Sequence, residues 1–178
     1  MKLPFASMFI LKLFLLSLLN ITTNAKVVNN KLLSEICPKT KSPEKCLTIL
    51  GANRKTRLAS SLHGLGLDSL TLAISRATMA ANTFNAYLLR GKNNYLAAAK
   101  SLGNAKTEWN EKKYRLAVKS IERAHNIPIS CEKAIGAPPL MGEVRRVNKI
   151  ADITFDIALV VAKEMEVNGN KSEDGYII

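Results

Sequence analysis

The 178-residue chain holds few of the residues that do chemistry: two histidines, three cysteines and one tryptophan. A hydrolase needs an activated nucleophile, a poised acid–base pair or a metal. Here His63 and His125 stand alone, with no serine or cysteine motif beside them. There is no CxxC pair and no Gly-rich phosphate loop, so the sequence encodes neither a zinc site nor a nucleotide cradle. No stretch alternates β-branched with polar residues, which argues against a sheet protein. Beyond residue 25 no segment approaches the roughly eighteen apolar residues of a membrane span. These absences lead to an all-α chain that is not an enzyme and takes no cofactor or metal.

What is present begins with a leader. Met1-Lys2 gives a basic start, Phe5 to Leu19 is apolar apart from Ser7, Lys12 and Ser17, and Thr23-Asn24-Ala25 suits a signal peptidase. Residues 1–25 are therefore expected to be a cleaved signal peptide, leaving about 150 residues, enough for one domain with a real core. The whole chain has 26 basic and 14 acidic residues, and without Lys2 and Lys12 the formal charge is about +10. Outside a cell that sign favours anionic surroundings: acidic proteins, an acidic wall polysaccharide or an anionic lipid surface. Nucleic acid fits poorly, because aromatics are few and the basic clusters, Lys112-Lys113-Tyr114-Arg115 and Arg145-Arg146, are scattered.

An odd count of cysteines in an oxidising compartment leaves one thiol free or paired between molecules. Cys37 and Cys46 flank the turn-like Pro38 to Pro43, where a bridge would close a small loop. In the chain-entropy model such a bridge stabilises by roughly 2–3 kcal/mol. Cys131 then has no partner.

Apolar periodicity places the helices. A short one covers residues 31–37; a second opens at Ser42-Pro43-Glu44, with Ser42 as N-cap and Pro43 at the first helical position, and ends at Gly51. Together they predict a disulfide-stapled helical hairpin. Leu70, Ile74, Ala77, Ala81, Phe84 and Leu88 repeat by four and three, a bundle-type stripe, with an irregular start at Gly64 and Gly66 and a turn at Gly91 to Asn94. A third stretch runs from Tyr95 through Trp109 and Tyr114 to Ile121, until Asn126-Ile127-Pro128 breaks it; a short helix covers Cys131 to Ile135. Val147, Ala151, Thr154, Ala158, Val161 and Met165 mark the last long helix, with Asp152 and Asp156 on its solvent face. His125 is expected near a helix end. The stripes predict an up-and-down four-helix bundle. The domain spans 26–166, and 167–178 is a flexible polar tail in which Asn170-Lys171-Ser172 is a glycosylation acceptor pattern.

The segment from Ile36 to Cys46 resembles the first cysteine pair of the plant invertase/pectin methylesterase inhibitor family. The resemblance continues through Leu65-Gly66-Leu67, Leu72-Ala73-Ile74, Tyr95 to Leu102, Ser130-Cys131-Glu132 and Ile157 to Val161. It implies a secreted four-helix-bundle inhibitor, in the apoplast or cell wall or in the vacuole, that blocks pectin methylesterase with a face of the bundle or acid invertase with a Pro-Lys-Phe loop after the third helix. Lys112-Lys113-Tyr114 falls at about that loop, with lysine in place of proline, and is the candidate contact with the target enzyme. The bland alternative is an exposed helix start with Tyr114 packed on the bundle. The family's third cysteine, which bridges to the equivalent of Cys131, is missing here; its position is nearest Gly91. The expectation is a shortened turn before Tyr95, a short third helix, an unpaired Cys131, and stability lower than a doubly bridged relative by a few kcal/mol.

Overall fold

The computed structural model describes residues 31–87, 89, 91–135 and 142–173. The leader assigned to residues 1–25 lies outside them. Helix α1, Lys31–Ile36, buries Leu33 and Ile36 and runs into a 3-10 turn, Cys37–Lys39, with Pro38 at its start. Helix α2, Pro43–Ala52, follows, and a Cys37–Cys46 disulfide joins the two pieces with Cα atoms 5.4 Å apart. Pro43 opens α2 as expected, but the Ser42 side chain makes no capping hydrogen bond, and the helix runs one residue past Gly51. A single turn, α3, Arg54–Leu58, is capped by Asn53, whose side chain accepts from the backbone N–H groups of Lys55 and Thr56.

Four long helices make the bundle: α4, Leu62–Ala86; α5, Gly91–Asn110; α6, Tyr114–Ala134; and α7, Gly142–Glu173. Each packs on the next and α4 closes on α7, the up-and-down arrangement the stripes required. Leu70, Ala77, Ala81 and Phe84 of the first stripe are buried, as are Val147, Ala151, Thr154, Ala158 and Val161 of the last. Ala73, Ala77, Ala80 and Ala81 are all buried, the small surface that lets neighbouring helices approach α4 closely. Trp109, Tyr95 and Phe155 are the largest fully buried side chains.

Several local expectations are corrected. Gly64 and Gly66 lie inside the regular start of α4, where Ser61 accepts the Gly64 N–H at 3.1 Å. Helix α5 is not short: it begins at Gly91, ahead of Tyr95, and has 20 residues. The third stretch is two helices, divided at Glu111 to Lys113. Pro128 does not break α6, and no separate helix starts at Cys131. Proline removes one intrahelical bond, but Pro128 is buried between neighbours and its own carbonyl accepts from Asn148 Nδ2 at 3.1 Å, so packing carries the helix through. His125 is consequently mid-helix. Helix α7 continues to Glu173, well into the stretch expected as a tail. Asn170 falls within that helical range, but its side chain is outside the described ones, as are residues 174–178.

Asp156 is not on a solvent face. Its side chain is 14% exposed, Oδ2 accepts the Lys41 backbone N–H at 2.9 Å, and His125 Nε2 lies 3.6 Å from Oδ1. Burial works to raise the carboxyl pKa, but the adjoining imidazole, the Lys41 N–H and the Lys41 charge outweigh it and hold Asp156 below its ordinary value. Lys41 Nζ pairs with Asp152, and Lys39 with Glu164 at 2.6 Å. The stapled hairpin is thus latched along α7 by polar contacts.

Candidate functional site

Helix α5 ends in a specific way. Lys112 N–H donates to the Trp109 carbonyl at 3.0 Å and Lys113 N–H to the Glu108 carbonyl at 2.8 Å. This pair of bonds is a Schellman motif, with Lys112 at the position just past the cap where the backbone turns left-handed. Lys112 has φ of 58°, and among the described residues it is the one non-glycine with positive φ. Glycine is the usual occupant there, because a side chain in that conformation costs about 1–2 kcal/mol. A lysine in that place is displayed at the apex of a fixed turn. The turn could not have been found from composition, because the glycine that normally marks it is missing.

Proline is excluded at the same position. Its ring locks φ near −65° and it has no N–H to give the Trp109 carbonyl. A proline at position 112 would therefore break this turn.

Lys112 and Lys113 are both exposed. Lys113 Nζ pairs with Glu111 at 2.8 Å, and that hydrogen bond and charge raise its pKa above the ordinary lysine value. Tyr114, half-buried, starts α6 and anchors the turn from below. Its ring meets Trp109 edge-on at 5.0 Å between centroids, and its hydroxyl lies 3.2 Å from His63 Nδ1. His63 stacks on Trp109 at 5.8 Å, and Trp109 Nε1 donates to the His63 carbonyl at 3.0 Å. Gly66 makes room for the indole: a Cβ there would collide with Trp109 Cζ2. The structure exposes Lys112 and Lys113 on the turn and packs Tyr114 on the bundle at the helix start, the arrangement of the bland alternative. His63 and Gly66 were missed as its support, since they come from α4, a helix distant in the sequence, and carry no local pattern, and Trp109, in the last turn of α5, was read only as one member of a helical stretch.

The opposite end of the bundle holds the third cysteine. Cys131 is a free, buried thiol; burial pushes its pKa up, against a hydrogen bond with the Asn94 side chain that works the other way. Next to it Tyr95 donates to Asn148 Oδ1 at 2.5 Å, while Asn148 Nδ2 reaches the Pro128 carbonyl and Glu132 Oε2 at 2.8 Å. Burial, with the nearby Cys131, Asp152 and Glu132, drives the Tyr95 hydroxyl pKa far up, so it stays a neutral donor. Among the described residues no helix is long and apolar enough to cross a membrane.

No family model matches the sequence, and no curated protein does. Solved structures do. The chain is similar to a pectin methylesterase inhibitor from Arabidopsis thaliana, with a TM-score of 0.56 and 18% identity over 77% of this chain and 97% of the inhibitor. It is also similar to mutant form A of a pectin methylesterase inhibitor from Arabidopsis, at TM-score 0.53 and 20% identity, over 75% of this chain and 97% of the other. At such identity the likeness establishes the fold, which is the fold the sequence resemblance implied.

Proposed function

We propose that this protein is a secreted inhibitor of a carbohydrate-active wall enzyme, a member of the invertase/pectin methylesterase inhibitor group, that acts by stoichiometric occlusion of its target's active-site cleft. The observation that carries this reading is the stapled four-helix bundle, which matches a pectin methylesterase inhibitor over nearly that protein's whole length. The order of family-like segments along the sequence supports it independently. The protein does no chemistry of its own: a rigid surface enters the cleft and keeps substrate out. The leader at residues 1–25 and a glycan on Asn170 belong to the same reading, which places the protein in the apoplast or cell wall, with the vacuole as the other compartment.

Between the two targets, the geometry at Lys112 favours pectin methylesterase. An invertase-type Pro-Lys-Phe segment needs a proline where this backbone is left-handed, and the aromatic that follows is here turned inward onto Trp109. The two lysines remain available to an acidic cleft edge. The test is a paired titration of refolded residues 26–178 against pectin methylesterase and acid invertase. Loss of the esterase activity at one-to-one stoichiometry is the expected outcome. Loss of invertase activity instead would reverse the choice of target, and a folded, helical protein that touches neither would overturn the reading.

A further inference from the structure

At the Cys131 end of the bundle, the first turns of α7 form a ridge between two clefts. One, of about 690 Å³, lies against α6 and is lined by Lys133, Arg145 and Lys149 over an apolar floor that includes Pro128 and Ile129. The other, of about 310 Å³, lies against α2, with Lys45, Arg146 and Lys149 around Ile49, Ile150 and Ile153. Arg146 and Lys149 belong to both, so the two clefts share a cationic wall, and Glu132 and Asp152 also line the first. The carboxylates nearby are already engaged: Glu132 with Arg145 and Asn148, Glu143 with Arg146, Asp152 with Lys41. Lys45, Lys133 and Lys149 are exposed and make no ion pair among the described residues. Unpaired lysines make a potential that attracts anions, and their spread over two adjoining clefts suits a chain of charges better than one charge.

We propose that this ridge is a docking surface for a linear acidic polysaccharide, a polyuronate. Such a polymer carries a carboxylate on each sugar for the lysines and arginines, and presents C–H ring faces to Ile129, Ile49 and the aliphatic stems of the cations. The ridge and the Lys112 turn lie at opposite ends of α6, a 21-residue helix, roughly 30 Å apart. A bound polymer therefore leaves the Lys112 turn clear, and the inhibitor would be held on the polymer that its target enzyme produces. The choice of polymer rests on the inhibitor reading above; the charge geometry does not.

The test is binding of the full chain to polygalacturonate and to its fully methyl-esterified, uncharged counterpart, at low ionic strength and at about 150 mM salt. Two charge-matched variants accompany it: Lys45→Glu/Lys133→Glu/Lys149→Glu on the ridge and Lys55→Glu/Lys100→Glu/Lys119→Glu elsewhere. The expected result is salt-sensitive binding to the acidic polymer alone, weakened about tenfold or more by the ridge variant and much less by the control. Equal weakening by both variants would mean net charge without a site and would overturn the proposal. So would binding to phosphatidylserine vesicles with none to polygalacturonate. Enzyme inhibition is measured on the same ridge variant. Intact inhibition with lost polymer binding supports the site, whereas polymer binding by a protein that inhibits nothing leaves the ridge standing and removes the inhibitor reading.

Discussion

At the end of the bundle that carries Lys112, the closing contacts are rings: Trp109 against Tyr114 and His63, with Gly66 cut away to admit the indole. At the other end they are hydrogen bonds: Tyr95 to Asn148, Asn148 to Pro128 and Glu132, and Asn94 to the Cys131 thiol. Rings resist compression and hold a surface turn in one shape. A buried polar network instead specifies partners and is costly when any member is lost. At this polar end Asn94 and Tyr95 tie α5 to α6 and α7 through directional bonds rather than a covalent crosslink.

Removing the ring that closes the Lys112 end should have the largest effect. Trp109→Ala is expected to cost about 3–5 kcal/mol, the range for a large buried aromatic, and to free the turn at residues 111–113. Chemical denaturation gives the first quantity and amide exchange at Lys112 and Lys113 the second. A small loss with full protection of the turn would mean that the Schellman bonds alone hold it.

The polar end can be strengthened almost as much. Asn94→Cys should bridge to Cys131 under oxidising conditions, because the Asn94 side chain already reaches that thiol. A loop of that length predicts about 4 kcal/mol in the chain-entropy model. Mass spectrometry of the intact protein, with denaturation before and after reduction, checks both the bond and the gain. Within the same network Tyr95→Phe should cost about 1–3 kcal/mol, since it leaves Asn148 Oδ1 buried without its donor. Asn148→Leu should cost more, since it also leaves the Pro128 carbonyl without its donor. The double variant should lose less than the sum of the two single ones, and full additivity would show that the two residues do not act as a pair.

The bundle itself was legible because its information is periodic: apolar positions at four and three recur in Leu70 to Phe84 and Val147 to Val161, and burial follows them. The stapled hairpin was legible from two cysteines around prolines. What was not legible was decided by tertiary contacts. Pro128 obeys no local rule once it is enclosed. Tyr95 and Asn148 are 53 residues apart, and neither sequence neighbourhood names the other. Asp156 reads as one of two exposed carboxylates until the hairpin brings Lys41 onto it. The division at Glu111 to Lys113 carried no periodic or glycine signal, since its marker residue is a lysine, and only the family resemblance pointed to a loop there.

The Asp156 latch gives a pH signature smaller than these. Its folded pKa lies below the unfolded value of about 3.9, so its contribution is complete above that value and is lost as pH falls through the folded one. Asp156→Asn should therefore be less stable than the parent by about 1–2 kcal/mol near neutrality, and the two should converge in acid. Denaturation midpoints across about pH 2 to 7 test the convergence. A constant gap over that range would mean that the contact is not one of charge.

The smallest effect, on Lys112, separates fold from function most cleanly. Lys112→Gly relieves a left-handed side chain and should raise stability by roughly 0.5–1 kcal/mol after allowing for the extra freedom glycine has in the unfolded chain. If lysine stands there for packing or capping, inhibition should be unchanged or improved. If it stands there as a contact with the target, the stabilised variant should inhibit less well, while Lys112→Arg retains the inhibition without the gain in stability. A residue whose replacement strengthens the fold and weakens inhibition is one kept for what it touches in the partner. The opposite outcome would return Lys112 and Lys113 to the status of an ordinary solvated turn and move the contact surface to another face of the bundle.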